Sequence, residues 1–517
     1  MKTLLIKNAT IYDGSGAPPM QANVQISSGR IVSVGKKKPD SDLEIEATGL
    51  ALTPGFIDAH GHSDISIIAA PEANSKVAQG ITTEVSGNCG LSPFPVNELN
   101  REHLKQLYEN YNCPIEWSDF SSYCRAVEIR CPALNIAPLC GHNTLRAAIN
   151  GYSNSKLTPK QISETVTLLQ TQLKQGATGL SSGLLYTPGC FSNSDEITAL
   201  LAALMPFGRP YATHLRSEGN QLIEAIEEAV DSCIAAGQPH LHISHLKTSG
   251  KKNWGKLDEA LELINKAPLR ITADRYPYTE SMTQLSIILP DNLASMPNEA
   301  LSDYLQSEIN ANTVKAELRK YPAERWQTCR LVSTSAPRFK TMNGKLLAEF
   351  SDPAAVCVEI WRTDRSGAMA AFSAMSPDNL RKILRLEFVA CGSDESARPL
   401  DYSFGVSHPR GFGSFPEFVR LLNGILSKEE IVRRMTSLPA SIFNLTGRGM
   451  IKPGYHADLV LLDWQEYCSN ADFNTPHQLA SGVKLVLVNG IPAYGAAAPT
   501  PIARSGKILK PQLKEML

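Results

Sequence analysis

Residues 55–64 read GFIDAHGHSD, and Leu52, Thr53 and Pro54 lead into them. The run is apolar, opens after a proline turn, and reads as a short buried strand. Side chains alternate faces along a strand, so His60 and His62 point the same way. Two imidazoles on one face at a strand end suit a metal ion, since histidine is a common metal ligand. They equally suit two polar residues where a strand meets water. The rest of the chain decides between these readings.

Short apolar runs like this one recur through the middle of the chain, each followed by a helix-like stretch. Eight can be counted: GFIDAHGH, ITTEVSGNCG, NIAPLCGH, TGLSSGL, YATHLRSEG, LHISHLK, ITADRYPYT and FVACGSD. Segments between them, such as GNQLIEAIEEAVDSCIAAG, carry helical apolar spacing. Strands alternating with helices predict a parallel sheet. Eight such units predict an α/β fold of the (β/α)8, TIM-like barrel type. The two ends differ from the middle: TLLIKNATIYDG and ANVQISSGRIVSVG near the start, and ADLVLLD and VKLVLVNGIPAYG near the end, read as strands and turns. The expected organisation is a small β-sandwich domain from both termini (1–51 and 446–498) and a barrel over 52–445. The stretch after the seventh run is too long for a βα loop, so residues 285–345 are expected to form a helical insertion over the barrel mouth.

The 517-residue length allows roughly two to four domains. Formal net charge is -1, which gives no sign of a nucleic-acid surface or polybasic membrane patch. No apolar run approaches the ~20 residues of a membrane span. The opening MKTLLIKNATIYDG reads as a strand and turn, not a signal peptide. The 11 cysteines are odd in number and irregularly spaced, as expected of a reduced, cytoplasmic protein.

The polar residues fall at the ends of the runs. The first ends in His60 and His62, the second in Cys89, the third in His142, the fifth in His214, the sixth in His245 and the eighth in Asp394. In such a barrel the C-terminal strand ends meet at one mouth, where active sites lie. Each residue singly has a plain structural reading: a loop histidine, a small buried cysteine, a helix cap. His103, His240, His242 and His456 fall inside helix-like stretches, in the β domain or off the strand ends, and are read as structural. Imidazole, thiolate and carboxylate together suit zinc better than magnesium or calcium. A catalytic zinc takes about three protein ligands and leaves one position for water. Cys89, His214 and His245 can supply three, while His60 and His62 hold a second ion or flank the water.

The segments PGFIDAHGHSD, TTEVSGNCG, GHNTLR, GLSSGLLYTPG, THLRSEG, ISHLKTSG, DRYPYT, GSD and HPRGFGSFP, in this order, resemble the motif series of N-acyl-D-amino-acid deacylases (D-aminoacylases) of the amidohydrolase superfamily. The resemblance covers nearly the whole chain, and NCG is its most specific part. It implies zinc-dependent hydrolysis of the amide of a small-molecule N-acyl-D-amino acid, giving a carboxylate and a free D-amino acid. It implies that Cys89, His214 and His245 bind one zinc tightly, that His60 and His62 bind a weaker second ion or support the first, and that Asp394 is the catalytic acid/base. Lys247, Tyr278 and Arg410 are then expected at the substrate α-carboxylate, with His142 also at the substrate. Hydantoinases and dihydroorotases are the nearest alternative, but they often carry a bridging Lys at the fourth strand end, where this chain reads ATGLSSGLLYTPG. A non-catalytic scaffold of the superfamily is the other alternative; such proteins lose ligands that are all present here. Two departures stand out: Asn143 where a Gly is usual, and a long segment, ESARPLDYSFGVSHPR, after Asp394. No Arg follows YPYT, which implies neutral substrate side chains.

Overall fold

In a computed structural model, residues 3–294, 296, 298–365 and 367–511 are described. Both ends of the chain meet in one eight-stranded sheet. Leu459–Leu462 pairs antiparallel with Ala51–Pro54, and Ala51–Pro54 pairs parallel with Leu4–Ile11. Where a β-sandwich was expected, the strands are linked in this one hydrogen-bonded sheet. The continuous apolar run LVLL follows from burial on both faces. Leu459 and Leu461 join one core with Ile6, Val24 and Leu485, while Val460 and Leu462 join another with Phe56 and Phe415. Phe56 and Phe415 stack at 5.7 Å between ring centroids.

The middle of the chain is a parallel system of α/β units. Phe56–Asp58, Ile81–Ser86 and Asn135–Pro138 pair in parallel. Cys140–Gly141, directly after Asn135–Pro138, continues into a second set: Leu180–Gly183, Tyr211–His214, His240–Ile243, Arg270–Arg275 and Val389–Cys391. The Leu139 N–H bonds back to Ser86 O (2.9 Å), bridging the two sets. At the other seam, the Ala59 N–H donates to Cys391 O (3.2 Å), and the His62 N–H to Glu395 O (3.1 Å). Pro159–Gln175 has a Thr158/Gln161 capping box, Pro at its first position, and Gly176 at φ 114° at its end. The segment near the C-terminus returns to the middle system, with the Ile136 N–H bonding to Lys507 O and the Leu509 N–H to Ile136 O.

The excursion after the seventh parallel strand is larger than 285–345 and is not simply helical. It contains an antiparallel sheet of Glu280–Gln284, Met369–Ser373 and Cys329–Ser333. Leu285, Leu331, Val358, Trp361 and Ala370 build a core of its own. The strand Glu280–Gln284 reads ESMTQ and is half-buried throughout. Its polar sequence has no strand signal, and only pairing with Met369–Ser373 makes it one.

Lys76 lies at the seam between the first and last parallel strands. It is fully buried, in the short helix Asn74–Val77. Its Nζ donates to Asp58 Oδ2, Ser393 Oγ and the Glu395 carbonyl, each at 2.7 Å, and pairs with Glu84 Oε2 at 3.0 Å. Burial opposes the charge, but Asp58 and Glu84 hold the ammonium form above its usual range. Removing one member of a buried ion cluster leaves the others uncompensated. Lys76→Met is therefore expected to cost about 3–5 kcal/mol, read as a lower midpoint of the first urea-unfolding transition. A midpoint within error of the parent would show that the seam does not need this charge.

Candidate active site

The C-terminal ends of the parallel strands carry the expected cluster. His60 follows Phe56–Asp58, His214 closes Tyr211–His214, His245 follows His240–Ile243, and Asp394 follows Val389–Cys391. Cys89 follows Ile81–Ser86 and lies at the centre. Its Sγ is 3.3 Å from His60 Nε2, 3.4 Å from His245 Nε2 and 3.6 Å from His214 Nδ1. His62 Nε2 lies 3.2 Å from Asp394 Oδ1, and His60 Nε2 lies 3.6 Å from the same oxygen. Gly61 explains the small residue between the two histidines: a Cβ there would sit 2.1 Å from Glu84 Cδ. Cys89, His245 and Asp394 adopt φ values of 54°, 38° and 52°. Non-glycine residues rarely take this left-handed conformation, and they gather at functional sites when they do.

The residues behind the cluster fix the imidazoles. Asp274 Oδ2 bonds His60 Nδ1 (3.1 Å) and His242 Nε2 (3.0 Å), and Asp274 Oδ1 accepts from the His245 N–H (3.0 Å). Glu218 Oε1 bonds His245 Nδ1 at 2.8 Å and also pairs with Lys247, while Oε2 approaches His214 Nε2 at 3.8 Å. Carboxylates of this kind set the tautomer and basicity of metal-binding histidines. Burial opposes ionisation of the Cys89 thiol, but the charges of His60 and His245 and hydrogen bonds from His214 and His245 hold it well below its usual range. Burial likewise opposes the Asp394 carboxylate, which Arg410 and His62 nevertheless hold well below its usual range. Arg410 Nη1 donates to Asp394 Oδ2 at 2.8 Å.

This donor set fits a metal ion. The donor atoms of His60, Cys89, His245 and Asp394 all lie within 4.8 Å of one another, as do those of His214, Glu218 and His245. One thiolate among imidazole and carboxylate donors is the mixture that zinc takes.

Two expected substrate residues lie elsewhere. His142 is fully buried, bonds Glu196 Oε1 through Nε2 (2.8 Å), and shares Glu196 with Arg146. It begins the helix His142–Asn150, so its ring turns into a buried ion-pair cluster and not toward the strand ends. Tyr278 packs its hydroxyl against Gly413 and its ring edge-on to His408 at 5.1 Å. Tyr276, two residues earlier, is the tyrosine near the cluster, with Arg410 4.7 Å and Lys247 6.0 Å from its ring centroid. Strand alternation would put both tyrosines on one face, but the backbone turns sharply at the proline between them, with the Tyr278 N–H bonding to Tyr276 O (3.0 Å), and sends the two rings apart.

Glu218, Asp274 and Tyr186 were not anticipated. Tyr186 packs edge-on to His214 at 4.8 Å. Asn143 carries the loop of Tyr186, donating to the carbonyls of Gly183 (3.0 Å) and Tyr186 (3.2 Å). Glu218 and Asp274 lie inside the recurring segments YATHLRSEG and ITADRYPYT, which was the available signal. Of the histidines read as structural, His242 stands directly behind the site, His103 stacks on Tyr152 at 3.8 Å, His240 bonds Thr272 (2.8 Å), and His456 bridges to Arg30 in the terminal sheet. The segment after Asp394 is pinned to the first strand's loop, with Ser396 Oγ donating to His62 O (2.9 Å) and the Ala397 N–H to Ser63 Oγ (2.7 Å).

Residues 348–494 match a model described as amidohydrolase family. The chain is 31% identical over 519 residues to N-acyl-D-aspartate deacylase of Alcaligenes xylosoxydans xylosoxydans, covering 98% of this chain and 95% of that protein. It is 29% identical to the D-aminoacylase of the same organism, covering 96% of this chain and 95% of that protein. Among solved structures it is similar to N-acyl-D-glutamate deacylase from Bordetella bronchiseptica, complexed with zinc and a phosphonate mimic of the tetrahedral intermediate. The TM-score is 0.82 at 28% identity, covering 98% of this chain and 99% of that one. Full-length identity at this level, together with a Cys-centred cluster at the ends of parallel strands, makes this chain a member of the N-acyl-D-amino-acid deacylase (D-aminoacylase) family of amidohydrolases.

Proposed function

We propose that the protein hydrolyses the amide bond of N-acyl-D-amino acids at this cluster, in a parallel system that closes as a (β/α)8 barrel under the insertion. The observation that carries the reading is Cys89 lying among three imidazoles, with Asp394 facing His60 and His62. Cys89, His214 and His245 would hold one zinc, and His60 and His62 with Asp394 would hold a second, weaker ion or support the first. Zinc, when bound, supplies a Lewis acid that polarises the amide carbonyl and acidifies a water molecule.

The protein's own residues do the rest. Asp394 is ionised at neutral pH, so it can accept the proton of the attacking water. Arg410 holds Oδ2, so Oδ1, which faces His62 and His60, is the oxygen turned toward the cluster and would accept the proton. The same oxygen then returns the proton to the leaving nitrogen, and the products are a carboxylic acid and a free amino acid. Arg410 has a second task. Its Nε has no partner, so with Nη1 holding Asp394 it keeps donors for the substrate α-carboxylate. One guanidinium thereby sets the distance between the carboxylate it binds and the base it holds. Glu218 keeps His245 oriented, and Tyr186 walls the site beside His214.

Amine release from matched N-acetyl-D- and N-acetyl-L-amino acids by zinc-supplied protein tests the reading, and release from the D series alone is expected. Equal release from the L series would overturn it. Asp394→Asn is expected to retain the tightly held zinc, measured by atomic absorption after dialysis, and to lose at least about 1,000-fold in kcat. Near-normal turnover of that variant would remove Asp394 as the base. Glu218→Gln is expected to weaken zinc affinity about 10–100-fold, measured by competition with a chelator dye. Unchanged affinity would mean that the orientation of His245 comes from elsewhere.

A further inference from the structure

The strands His240–Ile243 and Arg270–Arg275 pair in parallel, with His242 opposite Thr272. His240 and His242 share one face of the first strand, and Thr272 and Asp274 share one face of the second. The four side chains join in an unbroken line. His240 Nε2 lies 2.8 Å from Thr272 Oγ1, His242 Nδ1 lies 2.9 Å from the same hydroxyl, and His242 Nε2 lies 3.0 Å from Asp274 Oδ2. The line ends at His60, whose Nδ1 is 3.1 Å from that Oδ2. It starts at the half-buried His240 and runs inward through Thr272, His242 and Asp274, which are all buried. The interior of a parallel α/β system is ordinarily apolar. Here the neighbouring strands make room, with Ala212 opposite His242 and Ala390 opposite Asp274, and the His242 ring lies edge-on to Phe443 at 5.1 Å.

The chemistry of these groups gives the line a direction. An ionised carboxylate only accepts, so His242 Nε2 and His60 Nδ1 both carry hydrogen and both donate to Asp274 Oδ2. Burial holds the His242 ring below its usual pKa range and therefore neutral. Its Nδ1 is then a bare acceptor, and it takes the single Thr272 hydroxyl proton. Thr272 Oγ1 in turn accepts from His240 Nε2, on a ring that burial also keeps neutral, with its pKa pushed down to about 3. With hydrogen on Nδ1, His60 keeps a lone pair on Nε2. That nitrogen faces Cys89 Sγ at 3.3 Å and Asp394 Oδ1 at 3.6 Å. The other oxygen of Asp274 accepts the His245 N–H, so one carboxylate fixes two residues of the cluster.

We propose that His242 and Thr272 are positioning residues of the metal centre: acting through Asp274, they hold His60 in the tautomer that offers Nε2 to the ion. Neither residue touches the ion or the substrate. The proposal rests on the reading of the cluster as a zinc site, and not on which amide is hydrolysed there. It gives His242 a task beyond the structural one that its place inside the strand suggests.

The test is zinc affinity, measured on the full-length protein by competition with a chelator dye, for the parent, Thr272→Val, Thr272→Ser, His242→Phe and His242→Gln. Thr272→Val keeps the shape of the side chain without its hydroxyl, and His242→Phe keeps a ring without nitrogen. Thr272→Ser keeps the hydroxyl, and His242→Gln keeps an N–H donor in place of Nε2. Thr272→Val and His242→Phe are expected to bind zinc about tenfold more weakly than the parent, while Thr272→Ser and His242→Gln stay within about threefold of it. Parent-like affinity in Thr272→Val and His242→Phe overturns the proposal, because the line would then only satisfy buried polar groups. Losses as large in Thr272→Ser and His242→Gln overturn it too, because shape and not hydrogen bonding would be responsible. If His242→Phe fails to fold, the near-isosteric Thr272→Val decides against Thr272→Ser alone. A parent that binds no zinc overturns both this proposal and the zinc reading. The expected affinities together with no amine release from any N-acetyl-D-amino acid would overturn the deacylase reading and leave the positioning role standing.

Discussion

The buried ammonium of Lys76 is the constraint on which the site depends. Its contacts reach Asp58 at the end of the first parallel strand, Glu84 in the second, and Ser393 and Glu395 past the last. Asp58 also accepts from the Ser393 N–H (2.8 Å) and the His60 N–H (3.2 Å). Asp394, between Ser393 and Glu395, donates its own N–H to His60 O at 2.7 Å. The strand-end seam is thus sealed by charge and hydrogen bonds, where residues facing the metal cluster leave little room for apolar packing. A buried ion cluster of this kind is unforgiving in geometry, because each partner left unmatched costs the full desolvation of its charge. That rigidity is what a base such as Asp394 needs.

A second layer of carboxylates repeats this logic around the imidazoles. Asp274 binds His60, His242 and the backbone of His245 at once, and Glu218 binds His245 beside Lys247. Backbone strain is concentrated in the same place. Cys89, His245 and Asp394 each hold a left-handed conformation that costs of order 1–3 kcal/mol, so neighbouring contacts must over-determine it. The His245 N–H bonded to Asp274, and the Asp394 N–H bonded to His60 O, are two such contacts. The insertion, with its own sheet and core, adds to the fold without disturbing this arrangement.

Much of this was legible in the chain because strand ends are periodic landmarks. His60, His62, Cys89, His214, His245 and Asp394 each close an apolar run, and the α/β alternation says that such ends lie together. The failures share a cause. His142 closes a run too, but it begins a helix, and the first helical turn rotates its ring toward Glu196. In YPYT the two tyrosines are equivalent as text, and the path of the backbone through the proline sets Tyr276, not Tyr278, beside Arg410 and Lys247. The strand ESMTQ has no apolar pattern, because its partners supply the reason for its conformation.

The amino-acid sequence by itself determined the repeating units, the terminal strands, and the residue types gathered at one set of strand ends. It could do so because burial and alternation are local consequences of side-chain chemistry. Pairing of charges is not local. Asp58 meets Lys76 across 18 residues and Ser393 across 335, and Lys247 meets Glu218 across 29. No spacing rule distinguishes those partners from any other acid or cation. Tertiary structure alone decided which buried charges are satisfied within the chain, because compensation in a low-dielectric interior depends on distances of a few ångströms.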